Sequence, residues 1–311
     1  MTSTDEATAN AGLAGIHALS SRGAGYAVAL KCLQVQAHAE ARDPSLHFGS
    51  HVTLHSDAWP WYTGALGEIE VGRLLTALGP EWFVRHAVPI GADLKDVDHL
   101  VIGPGGVYVI NTKHHQGKSV WVGDYVVRIN KTTAPYISIA QGDGLDVARR
   151  LTNKVGFPVA VTSVIAVLHA RSLVDGRLPH NRLVAVVDAQ HLARWILAQP
   201  RNLEDGDLAL IKHGAEDPQT WHVDPHAADT LRVLQRFERL AAQVGDSPAR
   251  RERVVRPHQP APRRKPPTKS SGTRPTRRSR GKKATSSDLI KLCLAVCSVI
   301  ASFAWLHAIV H

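Results

Sequence analysis

At 311 residues the chain has room for one large or two modest domains with a sizeable core. The net charge of +10 does not make the folded part basic: 15 of the 37 Lys and Arg lie between Arg250 and Lys291, against Glu252 and Asp288 alone, so residues 1–249 hold 22 basic and 25 acidic side chains. That excludes a nucleic-acid claim from isoelectric point alone, and three cysteines (Cys32, Cys293, Cys297) exclude a disulfide framework and fit a reducing compartment.

The opening MTSTDEATAN carries acids and no apolar core, so no secretory signal peptide is expected. Residues 1–60 form a region of unassigned role, in which AGYAVALKCLQVQAHAEAR (24–42) has helical character. From Gly64 the pattern is firmer. Leu66, Ile69, Leu74, Leu75 and Leu78 give a helical stripe that Gly79-Pro80 stops, which predicts a helix with Glu68 in its first turn. There the helix dipole would favour an acid, and Gly64 and Gly67 would let the backbone approach a neighbour. EWFVRHAVPI (81–90) reads as a strand.

DVDHLVIGPGGVYVINTK (96–113) reads as a β-hairpin: two runs rich in Val, Ile and Tyr flank Gly103-Pro104-Gly105-Gly106. With Pro104 and Gly105 as a two-residue loop, Gly103 pairs with Gly106. Asp98 then lies opposite Asn111 and Asp96 opposite Lys113. Side chains alternate with period two, so all four project from one side of the sheet. Two acids, an amide and a lysine converging at strand ends suit a metal ion and a phosphate. The plainer alternative is an exposed Asp96–Lys113 ion pair of little worth. His99 falls on the other face, with Val97, Val101 and Ile110, as a core-edge residue.

SVWVG and YVVRIN (119–130) predict a second hairpin turning at Gly123-Asp124, DVARRLTNKVG (146–156) a helix, and PVAVTSVIAVLHA (158–170) a buried strand. Gln141 stands before that helix, and Gly142 and Gly144 mark its surroundings as a loop. His114, His115, His213, His222 and His226 lack the tight spacing of structural zinc sites and read as solvated surface residues. LVAVVD (183–188) adds a strand and AADTLRVLQRFERLAAQ (227–243) an amphipathic helix, completing an α/β domain over 61–247. No Walker-type phosphate loop, nucleophile elbow or dinucleotide fingerprint occurs.

Residues 248–288 are rich in Pro, Arg, Lys, Ser and Thr and predict a disordered linker. LIKLCLAVCSVIASFAWLHAIV (289–310) follows, with 19 residues free of formal charge from Leu292 to Val310. As a helix they reach about 28 Å, close to the roughly 30 Å hydrocarbon core. A transmembrane helix is therefore expected at 289–310, a docking helix being the alternative. The basic flank places the main domain on the cytoplasmic side of the cell membrane, as a single-pass C-terminal anchor. The linker's cations, 250–283, suit anionic lipid or nucleic-acid phosphates.

The stretch from GALGEIEVGRLLTALG (64–79) through DVDHLVIGPGGVYVINTK to about residue 130 resembles the nuclease-related domain (NERD) family. That family is regarded as a relative of the PD-(D/E)xK restriction-endonuclease-like nucleases. The resemblance implies a restriction-endonuclease-like mixed β-sheet flanked by helices, and the order helix, three strands, helix, strand agrees with it. It also implies divalent-metal-dependent phosphodiester hydrolysis of DNA or RNA. Glu68 and Asp98 match the family's acids and Lys113 its lysine. The position two before that lysine usually holds an acid, and here it is Asn111. An amide oxygen coordinates Mg²⁺ or Mn²⁺ without contributing charge, so affinity should fall unless Asp96 compensates. The function expected is thus a membrane-anchored nuclease-related protein. The alternatives are a catalytically inactive nucleic-acid-binding module and a membrane-bound scaffold whose linker holds lipid or a partner.

Overall fold

The computed structural model of the chain describes residues 19–91, 95–222 and 230–245. All belong to the compact unit Met1–Arg256. The predicted linker and the 289–310 span lie outside the described residues, as does His226. Among the described residues no helix is long and apolar enough to cross a membrane.

Near-continuous runs of Val, Ile and Leu build the central sheet. Strands β3 (Phe83–Pro89), β4 (Asp96–Gly103) and β5 (Gly106–His114) form an antiparallel meander. Strands β9 (Val161–Leu168) and β11 (Val184–Asp188) extend it in parallel, for an order β11-β9-β5-β4-β3. The β4–β5 turn closes at Gly103–Gly106, and the register runs to His99–Ile110, as the turn chemistry predicts.

Burial on both faces makes this sheet the centre of the unit. On one face Leu100, Ile102, Val107 and Val109 pack with Val147 and Leu151 of α3 (Tyr136–Val155) and Leu208 and Ile211 of α5 (Asp205–Glu216). On the other, Val101, Tyr108 and Ile110 meet Val71 and Leu75 of α2 (Trp59–Leu75) and Leu192 and Ile196 of α4 (Leu192–Leu197). Outside α2 lie α1 (Tyr26–Arg42) and α6 (Thr230–Gly245), joined through Tyr26, Cys32, Tyr62, Ala65 and Phe237. The predicted helix at 24–42 is therefore a packed part of the same unit. A two-residue ladder of β1 (His47–Phe48) and β2 (His51–Val52) follows α1.

The predicted second hairpin forms, as β6 (Ser119–Val122) and β7 (Val127–Ile129), but it leaves the main sheet. With β8 (Thr132–Ala134) and β10 (Ser172–Asp175) it makes a separate sheet, ordered β10-β6-β7-β8. Its inner face, Val120, Val122, Val127 and Ile129, packs on Ile137, Ala140, Ile165 and Val167.

Two boundaries differ from expectation. Helix α2 begins at Trp59 rather than Gly64, so Glu68 sits mid-helix and the dipole argument for an acid there falls away. Helix α3 begins at Tyr136, ten residues before the predicted start, and contains Gln141. Of the two glycines that suggested a loop, Gly144 serves packing, since a Cβ on it would lie 2.1 Å from Ser163 Oγ on β9, while Gly142 has nothing within 4 Å.

Candidate active site

Three elements converge where the central sheet parts. The β4–β5 ladder ends at His99–Ile110, yet β4 continues to pair with β3 as far as Pro89–Asp96, and β5 with β9 as far as His114–Leu168. The two middle strands therefore separate at Asp98. On the β3 side the pairing also skips Ala87 opposite Asp98, and Ala87 has a φ of 49°. A non-glycine in the left-handed region costs about 1–2 kcal/mol, a strain held next to the acid. Asp98 takes over the missing ladder contact with its side chain: Oδ2 accepts from the Thr112 N–H at 2.6 Å.

Glu68 arrives from α2. Its neighbours at helical spacing, Ala65, Gly72 and Leu75, are buried, and Glu68 itself is only 6% exposed. A Cβ on Gly67 would come 3.2 Å from His114 Cβ, so glycine lets the helix lie close to the end of β5. Burial and the charges of Asp98 and Asp96 push the Glu68 carboxyl well above its ordinary range. The Lys113 ammonium and the Gly25 backbone N–H oppose this. Asp96 is raised to about 8, by burial first and then by Asp98, against the pull of Arg22. Asp98 is raised by burial, against Lys113 and the Thr112 N–H. Glu68 Oε2 and Asp96 Oδ2 are buried with no hydrogen-bond partner. Three acids repelling one another out of water is costly, and it is a common mark of a functional site.

Lys113 donates to Asn111 Oδ1, and its Nζ stands 5.1 Å from the centroid of the Tyr136 ring, at the start of α3. The fold thus gathers Glu68, Asp96, Asp98, Asn111 and Lys113 around one opening. Gln141 is exposed on α3 and takes no part. Asp143, two residues on, does: it is 6% exposed, lies 3.2 Å from Lys95 Nζ, and raises the pKa of both Asp96 and Asp98. Asp143 was visible as an acid within the stripe Ile137, Ala140, Gly144, Val147 and Leu151, provided that the helix was begun early enough.

Of the histidines read as surface residues, His213 and His222 are exposed, but His115 is not. It is 8% exposed and stacks on Tyr136, with neither ring nitrogen hydrogen-bonded, and its pKa falls to about 4 by burial and the charge of Lys118. His99 is fully buried. Its Nδ1 lies 2.8 Å from His86 Nδ1 and its Nε2 3.2 Å from Thr112 Oγ1, so it braces the residue whose backbone holds Asp98.

Among the described residues, no group of three or more His, Cys, Asp or Glu side chains is arranged to hold a metal ion. The donor chemistry nonetheless fits a hard divalent cation. Two carboxylate oxygens are orphaned in the interior, and a nearby positive charge would relieve the repulsion that raises all three acids.

The model of the nuclease-related domain matches residues 63–166. An uncharacterized protein of Bacillus anthracis is 37% identical over 62 residues, which cover 19% of this chain and 29% of that one. The chain thus spans under a third of that relative's length. No solved structure matches the chain. The matched segment runs from α2 through the hairpin and α3 into β9, so every acid of the cluster and its lysine lie inside it, and it is over residues 63–166 that this protein matches the nuclease-related domain.

Proposed function

We propose that this protein hydrolyses phosphodiester bonds in nucleic acid at the opening between β4 and β5, on a restriction-endonuclease-like core. The observation that carries the reading is the burial of three mutually repelling carboxylates, two with orphaned oxygens, beside one lysine. Glu68 and Asp98 would hold Mg²⁺ or Mn²⁺, with Asn111 as an uncharged donor and Asp96 supplying the charge that Asn111 lacks. Such a cation supplies Lewis acidity toward a phosphate and lowers the pKa of water.

The chain's own residues do the rest. The Thr112 N–H fixes one oxygen of Asp98. Lys113, steered by Asn111 and Tyr136, offers its ammonium to charge developing on the phosphate. Burial and the neighbouring acids raise the Glu68 carboxyl well above its ordinary range, and a bound cation would favour its ionised, ligating form. Asp143 holds Lys95 at the rim.

We also read residues 289–310 as a membrane span and 248–288 as a basic tether, with the catalytic unit on the cytoplasmic side. The hydropathy and charge of the sequence support this.

The test is cleavage of labelled DNA and RNA by the unit Met1–Arg256 with Mg²⁺ or Mn²⁺, beside Asp98→Ala and Lys113→Ala. Both variants should lose activity by at least about a hundredfold. Cleavage unchanged by Asp98→Ala removes this site from the mechanism. No cleavage by the parent across substrates, metals and pH leaves a nucleic-acid-binding module without hydrolysis.

A further inference from the structure

The four-stranded sheet buries one face, and its outer face carries a tryptophan that the backbone is shaped to hold open. In register across the strands, Val174, Trp121, Arg128 and Thr133 form one outward row. Trp121 is 39% exposed. A Cβ on Gly123 would lie 2.7 Å from the ring's Cζ3, and one on Gly176 2.8 Å from its Cζ2 and Nε1. The indole therefore lies across two bare stretches of backbone and is left partly exposed. The Arg128 guanidinium sits 4.9 Å from the ring centroid, and Tyr125, in the β6–β7 loop, is 84% exposed.

Charge around this face is one-sided. Lys118, Arg128, Lys131 and Arg171 are exposed cations. Asp175 is already paired with Arg177 and Arg182, which leaves Asp124, held by Asn181, as the acid at the turn. Trp, Tyr and Arg suit a protein interface as well, but exposed lysines do not, and a rim of four cations suits a polyanion.

The face is also continuous with the acidic cluster. Four residues separate Lys113 from Lys118, whose backbone N–H donates to His115 O. His115 in turn stacks on Tyr136, beside the Lys113 ammonium.

We infer that this face is a binding platform for single-stranded nucleic acid, on which an unpaired base stacks on Trp121 and flanking phosphates meet the four cations. The inference rests on the proposed nucleic-acid activity and adds the form of the substrate. A base within a duplex is already stacked and cannot join the Trp121–Arg128 pair, while an unpaired base of any identity can stack there with the guanidinium displaced to its edge.

The test uses the full chain, in EDTA to prevent cleavage, and a single-stranded oligonucleotide carrying 5-iodouracil. Trypsin releases Ser119–Arg128, which contains both Trp121 and Tyr125. Crosslinks should map to that peptide and be weaker with the duplex of the same sequence. Trp121→Ala should weaken binding to the single strand by about tenfold or more, and Trp121→Phe should retain most of it. Crosslinks confined to residues 250–283, or affinity unchanged in Trp121→Ala, overturn the platform. Association with phosphatidylserine vesicles that Trp121→Ala abolishes, without a crosslink to Ser119–Arg128, overturns it in favour of a lipid surface. Asp98→Ala separates the two readings. If that variant loses cleavage while Trp121→Ala binds normally, the site stands and the platform falls. If it cleaves normally while the crosslink maps to Trp121, the platform stands and the site falls.

Discussion

Replacing Asp96 by Asn should stabilise the metal-free protein, by an amount that grows with pH. The Asp96 carboxyl has an ordinary pKa of 3.8 and is raised to about 8 in the folded state by burial and by Asp98. Below pH 4 it is protonated in both states and affects neither. Between pH 4 and 8 the unfolded chain releases the proton and the folded chain keeps it, so stability is lost as pH rises through that window. At about 1.4 kcal/mol per pKa unit the full loss is on the order of 5 kcal/mol for a rigid interior, and water entry reduces it to a few kcal/mol. Asparagine keeps the shape and removes the charge. It also lifts repulsion from Glu68. Urea denaturation of Met1–Arg256 in EDTA, from pH 4.5 to 8.5, checks this. The variant and parent should coincide near pH 4.5 and diverge steadily to a few kcal/mol in the variant's favour at pH 8.5. A difference that is flat with pH, or a variant less stable at pH 8.5, would refute the buried acidic cluster.

Other outcomes follow from the same geometry. Mg²⁺ or Mn²⁺ should raise the midpoint of thermal unfolding more at pH 8 than at pH 5, because the ligating carboxylates must be ionised; equal shifts at both pH values would count against a site built on Glu68 and Asp98. Asn111→Asp should tighten Mg²⁺ by at least about tenfold in titration calorimetry, the scale that even outer-shell ligands command, and unchanged binding by the folded variant would place residue 111 away from the cation. Gly67→Val should cost about 1–3 kcal/mol and blunt the metal response together, since the new side chain meets His114 and lifts α2 from β5. If 289–310 spans a bilayer, the full chain should stay with membranes through high-salt and carbonate washes while a chain ending at Ser287 is soluble. Placing Arg at Ile300 should cost roughly 2.5–3.5 kcal/mol of insertion free energy.

What could be read in the linear sequence was whatever local chemistry dictates. A Gly-Pro-Gly-Gly turn leaves a hairpin one favourable register, so the facing of His99 with Ile110 followed from the turn, whereas the expected pairs Asp98–Asn111 and Asp96–Lys113 do not form because the ladder ends before them. Short apolar runs marked β9 and β11. Boundaries were less legible where a residue's conformational habit opposed its packing. Gly142 and Gly144 suggest a loop in isolation, but Gly144 is what lets α3 lie against Ser163, and with the helix begun at Tyr136 the acid that joins the cluster is Asp143 rather than Gln141. Nothing local shows that SVWVG would leave the main sheet, because the choice between two sheets depends on β10, some 50 residues away in sequence. Only the tertiary structure decided that β4 and β5 part at Asp98, that α2 delivers a fully enclosed Glu68 there, and that Arg22 and Gly25 from the unread amino-terminal region act on the acids. Sequence names the charged groups and their spacing; how far water is removed from them, and which charges then face one another, is fixed by elements distant in the chain, and that desolvation is what makes three ordinary carboxyls a candidate site.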